Sequence, residues 1–126
     1  MRVPPYACAF AATVLAALLA ACTEPEAPPL QVAGGDAKLG KQLMAQYQCG
    51  ACHAIPGVAA AAGSAGPPLD GFGRRSYIAG RIPNLPQPLA QWLVDPPAMK
   101  PGTLMPNVGV SPADARHMAA YLATLQ

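Results

Sequence analysis

The chain has 126 residues, enough for one small domain, and a formal charge of +2. Its only basic cluster is Arg74-Arg75, and no run of Lys or Arg interleaves with aromatic residues, which excludes nucleic-acid binding. Aromatic residues make up 6% while Gly (12) and Pro (16) abound, so loops dominate and a core this small needs a cofactor, a metal or covalent staples.

Residues 1–22, MRVPPYACAFAATVLAALLAAC, place one Arg ahead of an apolar run of about 15 residues and end in LAAC. The run is shorter than the ~20 residues that span a bilayer, which favours a cleaved signal over an uncleaved anchor. Leu19-Ala20-Ala21-Cys22 resembles the lipobox of bacterial lipoproteins, which implies a signal peptide over 1–21 and acylation of Cys22. Acyl chains contribute about 0.8 kcal/mol per buried CH₂, so several of them hold a protein stably to a membrane. Residues 22–35 then read as the acylated Cys and a Pro- and Gly-rich tether, whose thirteen residues after Cys22 reach about 40 Å at ~3.1 Å each. The expected location is the periplasmic side of a bacterial membrane.

The globular part is expected over 36–126. Asp36 is a helix N-cap, followed by Gly40, Leu43, Met44 and Tyr47 at the spacing of one helix face. Gly40 is the odd member of that stripe, costing about 1 kcal/mol relative to Ala unless something must approach closely there. Residues 54–84 have no sustained periodicity. A short helix follows from about Pro86 to Val94, with Leu89, Trp92 and Leu93 on one side and Asn84 near its start; residues 95–109 again read as loop. Ser111 caps a final helix with Pro112 in its first turn and Met118, Tyr121, Leu122 and Leu125 along one face. Three to four helices joined by long loops make an all-α domain that a cofactor must organise.

Between the first helix and the long loop lies Cys49-Gly-Ala-Cys52-His53, in a chain with 4 Cys and 2 His in total. A zinc site needs four ligands, and only distant His117 and carboxylates remain to complete one. A thioredoxin-like thiol pair needs a βαβ setting, and no strand signal flanks this one. Covalent haem needs two thiols for its two vinyl groups and an adjacent imidazole for the iron, and the spacing fits. The cysteines are then all used: Cys8 leaves with the signal, Cys22 carries lipid, and Cys49 and Cys52 carry haem.

Residues 36–126 resemble a class I, mitochondrial-type cytochrome c domain. The match runs through the helix bearing Gly40 and Tyr47, then CGACH, Gly66-Pro67-Pro68-Leu69, Trp92-Leu93, Pro101-Gly102-Thr103-Leu104-Met105-Pro106, and a closing helix bearing Tyr121 and Leu122. The resemblance implies the small cytochrome c fold around one haem c. His53 would bind iron through one ring nitrogen and donate the other N–H to the Pro67 carbonyl, fixing the ring and its basicity. Met105 would be the sixth ligand, with Met99 its internal rival; Met44 and Met118 sit on apolar faces, and His117 is expected to be solvated. A thioether favours ferrous iron and raises the reduction potential. The resemblance also implies that Gly40 meets Tyr121 where first and last helices cross, and that Leu69, Trp92 and Leu104 line the haem, although for Trp92 ordinary helix packing explains as much. Arg74, Arg75, Tyr77 and Arg81 either bond the haem propionates or face solvent.

An iron filled by two protein ligands has no place for substrate, so the expected function is single-electron carriage between respiratory partners, not enzymatic catalysis. Two rivals remain: a haem subunit of a terminal oxidase assembly, and a ligand-binding or peroxidase-like protein with an open sixth position. Without Arg2 the chain carries 7 Lys+Arg against 6 Asp+Glu, or +1, which a ferric haem with two propionates brings near neutrality. Charge therefore does not identify the docking partner.

Overall fold

A computed structural model of the chain describes residues 30–126. The signal peptide, Cys22 and the tether as far as residue 29 lie outside the described residues. Four helices follow: α1 (Ala37–Gln46), α2 (Pro86–Val94), α3 (Pro96–Met99) and α4 (Pro112–Ala123). Single 3₁₀ turns occupy Cys49–Ala51 and Phe72–Arg74, and a small hairpin pairs β1 (Tyr77–Ile78) with β2 (Ile82–Pro83). This is the mostly helical architecture expected.

α1 begins at Asp36 because that carboxylate accepts the N–H groups of Lys38 (2.8 Å) and Leu39 (3.0 Å), two donors the first turn leaves without partners. It buries Gly40, Leu43 and Met44. α4 begins at Ser111, whose hydroxyl accepts from the Asp114 N–H at 3.1 Å, and buries Met118, Ala119, Tyr121 and Leu122. The two faces pack against each other, and a hydrogen bond of 2.8 Å from the Tyr47 hydroxyl to Asp114 Oδ2 fastens the end of α1 to the start of α4.

The first and last helices cross at Gly40, as the resemblance implies. A Cβ on Gly40 would collide with the His117 carbonyl and lie 3.0 Å from the Met118 nitrogen, so Gly40 meets α4 backbone one turn before Tyr121. Close approach of two backbones explains the glycine. Tyr121 donates its hydroxyl to the Pro56 carbonyl, pinning the loop beyond Cys52. His117 is only partly solvated: it is half-buried, and its Nδ1 accepts the Asp36 N–H at 3.0 Å. Crossing the middle of α4 over the start of α1 brings that imidazole to a helix end with donors to spare.

Acid sensitivity follows from these caps. The Leu39 amide is the main cause holding the Asp36 carboxyl below its ordinary 3.8, and the Tyr47 hydroxyl, then Ser111, do the same for Asp114. A carboxyl whose folded pKa is depressed contributes stability that is complete above its unfolded pKa and is lost as pH falls through the folded value. The thermal unfolding midpoint of the holoprotein is therefore expected to fall from about pH 5 downward, and Asp36→Asn with Asp114→Asn to flatten that fall relative to the wild type.

α2 occupies the residues expected, with Leu89, Trp92 and Leu93 buried. Asn84 ahead of it is also buried, its amide nitrogen donating to the Phe72 and Arg75 carbonyls at 3.0 Å each. Two pieces within the expected loops are regular. Strands β1 and β2, in register Tyr77↔Pro83 and Ile78↔Ile82, are joined through Ala79, Gly80 and Arg81; the Arg81 N–H donates to the Ile78 carbonyl at 3.2 Å, closing a turn whose two central residues, Ala79 (φ 50°) and Gly80 (φ 84°), both have positive φ. Helix α3 fills part of 95–109, with Asp95 Oδ1 accepting from the Ala98 N–H at 3.3 Å.

Candidate functional site

The CGACH segment forms a tight turn directly after α1. Gln48 adopts a left-handed conformation (φ 56°), and the Cys49 carbonyl accepts the N–H groups of Cys52 (3.2 Å) and His53 (3.0 Å). The turn leaves Cys49 half-buried against the core and Cys52 exposed, one sulfur inside and one at the rim. Burial pushes the Cys49 thiol pKa up, the opposite of what a thiol-disulfide reagent needs. Among the described residues no group of three or more His, Cys, Asp or Glu side chains converges on a metal position, so the zinc geometry is not formed there.

His53 is held from two sides. Its Nδ1 lies 2.7 Å from the Pro67 carbonyl oxygen, and its ring lies flush on Gly66, where a Cβ would sit 2.7 Å from Nδ1 and 2.8 Å from Nε2. With Nδ1–H donating to Pro67, the lone pair belongs to Nε2, the arrangement of a metal-binding imidazole. The wall behind the ring is fastened to the cysteine turn: the Gly63 N–H donates to the Gly50 carbonyl (3.0 Å), Gly66 to Cys52 (2.7 Å) and Leu69 to Ala54 (2.8 Å). Gly63 is small because a Cβ there would strike the Ala51 carbonyl.

Arg75 braces the same wall. Its guanidinium donates to the Pro68 carbonyl at 2.6 Å and the Asp70 carbonyl at 3.0 Å, and lies 5.3 Å from the centroid of the Phe72 ring. As a charge beside another arginine it gives no sign in the sequence of this bracing role. Arg74, Tyr77 and Arg81 are exposed, with no side-chain hydrogen-bond partner among the described residues.

Met105 is half-buried against the core, its N–H donating to Thr103 Oγ1 at 3.3 Å. The loop that carries it is anchored by Lys100, whose Nζ donates to the Ala79 carbonyl at 2.9 Å. Leu104, expected to line the haem, is 95% exposed. In a segment with no helical turn, neighbouring side chains leave the backbone on different sides, so turning Met105 inward turns Leu104 outward. Met99 is directed elsewhere: with Val32, Ala90, Val94 and Pro112 it lines a groove of about 540 Å³ among α2, α3 and α4 that no residue of the CGACH turn touches. Met44 and Met118 are fully buried between α1 and α4. Leu69 and Trp92 belong to the apolar core, at 7% and 8% exposure.

Two thiols on one turn, an imidazole with Nε2 free and a half-buried thioether form a donor set that fits haem c. The fold and these groups define a c-type haem protein. The family model for cytochrome c matches residues 37–126, and the chain belongs to the cytochrome c family, with covalently bound haem c as its cofactor and haem-based electron transfer as its chemistry. It is 36% identical over 91 residues to "Cytochrome c oxidase subunit 2" of Alkalihalophilus pseudofirmus, covering 71% of this chain and 26% of that protein. It is 32% identical over 87 residues to the protein of the same name from Bacillus subtilis, covering 68% and 24% respectively. The chain thus spans about a quarter of the length of these relatives.

Proposed function

We propose that the protein is a membrane-tethered mono-haem carrier that passes single electrons to a respiratory terminal oxidase. Cys49 and Cys52 would hold the haem through thioethers, His53 and Met105 would ligate its iron, and Cys22 would carry the lipid on the periplasmic side. The observation that carries the reading is the His53 ring, oriented by Pro67 and Gly66 so that Nε2 is free. The haem supplies an iron that changes oxidation state by one electron. The chain orients the imidazole, supplies a neutral sulfur that favours the ferrous state, and leaves no coordination position for substrate.

A second reading, a fixed haem subunit of an oxidase assembly, is favoured by the name both relatives share. The Pro- and Gly-rich stretch between Cys22 and Asp36 supports a mobile head instead. The test is fractionation of haem-loaded protein after gentle solubilisation. Wild type is expected in the membrane fraction and then migrating alone in detergent, while Cys22→Ser is expected in the soluble periplasmic fraction with an unchanged absorption spectrum. Co-migration of the wild type with an oxidase would support the fixed subunit, and retention of Cys22→Ser in the membrane would overturn the lipid tether.

A further inference from the structure

We infer that the loop 101–110 is the docking face for the redox partner and that the partner meets it with an uncharged, apolar patch. The inference rests on the carrier function proposed above. No Lys, Arg, Asp or Glu occurs between Lys100 and Asp114, or between Lys41 and Asp70, so both the loop bearing Met105 and the segment bearing Cys49, Cys52 and His53 are free of formal acidic and basic side chains. The charges bordering the first run are engaged internally: Lys100 on the Ala79 carbonyl, and the Asp114 carboxylate by the Tyr47 hydroxyl. What the loop offers outward is Leu104 at 95% exposure and Val108 at 45%, with exposed Pro106 between them.

Leu104 adjoins Met105 in the chain, so a surface seated on it lies one residue from the sulfur assigned to the iron. A charged partner surface brought onto this loop would lose its water and find no opposite charge, a cost with nothing to offset it. An apolar surface gains by burying Leu104 and Val108. Charge steering raises encounter rates for partners that diffuse freely, whereas a tether raises the effective concentration without it. A charge-free docking face is therefore consistent with a carrier held on the same membrane as its acceptor.

The test is stopped-flow oxidation of the reduced, haem-loaded full chain by source-cell membranes containing their terminal oxidase, washed free of this protein, both in detergent. The wild-type rate constant is expected to change by less than about twofold between ionic strengths of about 20 and 300 mM. Leu104→Glu is expected to slow oxidation by about tenfold or more with its spectrum and reduction potential unchanged, Leu104→Ala only a few-fold, and Leu39→Glu on α1 not at all. A steep salt dependence, lost in Arg74→Ala or Arg81→Ala and not altered by Leu104→Glu, would overturn the inference and assign docking to those cations. Binding of Cys22→Ser protein to lipid vesicles, or dimerisation, that Leu104→Glu abolishes would reassign the loop to lipid or to a second copy. Absence of oxidation at every salt concentration, with a native spectrum, would count against the carrier function itself and take the inference with it.

Discussion

Met105→Ala is expected to convert the haem from low-spin to high-spin, to open it to carbon monoxide and to lower its reduction potential. The thioether is a neutral, soft ligand that stabilises ferrous iron over ferric, so its removal favours the oxidised state. Axial ligation spans about 0.8 V across haem proteins, and loss of the sulfur is expected to account for a fall on the order of 100 mV or more. Absorption spectra with and without carbon monoxide, followed by a redox titration, measure all three effects. Met99→Ala is the control: Met99 lines the groove beside α2 and is expected to leave the spectrum unchanged. A wild type that already takes up carbon monoxide would remove Met105 from the iron and revive the open-site alternative. An effect of Met99→Ala in place of Met105→Ala would move the ligand to α3.

The same loop shows where sequence reasoning succeeds and where it stops. Helices α1, α2 and α4 were legible because each declares its start chemically, through Asp36, Pro86 or Ser111-Pro112, and then repeats an apolar stripe over two or more turns. Helix α3 and the hairpin were not, since four residues and two paired residues are too short to display a period. Leu104 illustrates a different limit. The resemblance implies that it lines the haem, but its side is decided by the inward turn of Met105, which a motif does not record. His117 and Arg75 are similar: an isolated imidazole and one of two adjacent arginines acquire their roles only when a distant backbone group, the Asp36 N–H or the Pro68 carbonyl, arrives beside them.

Gly66→Ala is expected to raise the reduction potential, the opposite sign to Met105→Ala. Gly66 is not among the glycines with positive φ, so alanine meets no backbone strain and the whole effect comes from the collision of its Cβ with the His53 ring. That collision is relieved only if the ring tilts or the 66–69 wall moves out, and each lengthens the 2.7 Å contact between Nδ1 and the Pro67 carbonyl. An imidazole that loses this acceptor is a weaker base and a weaker donor to ferric iron, and ferric iron is the state that most needs the donation. Such outer partners alter metal affinity by 10–100-fold; confined to one oxidation state, that corresponds to about 60–120 mV for a one-electron couple. Pro67→Ala separates the ring's hydrogen bond from the chemistry of the side chain, because it retains the backbone carbonyl, and it is expected to leave the potential within about 20 mV of wild type. If Gly66→Ala left the potential and the methionine–iron band untouched, the His53 ring would not owe its orientation to the glycine, and the two-sided clamp on the imidazole would reduce to the Pro67 hydrogen bond alone.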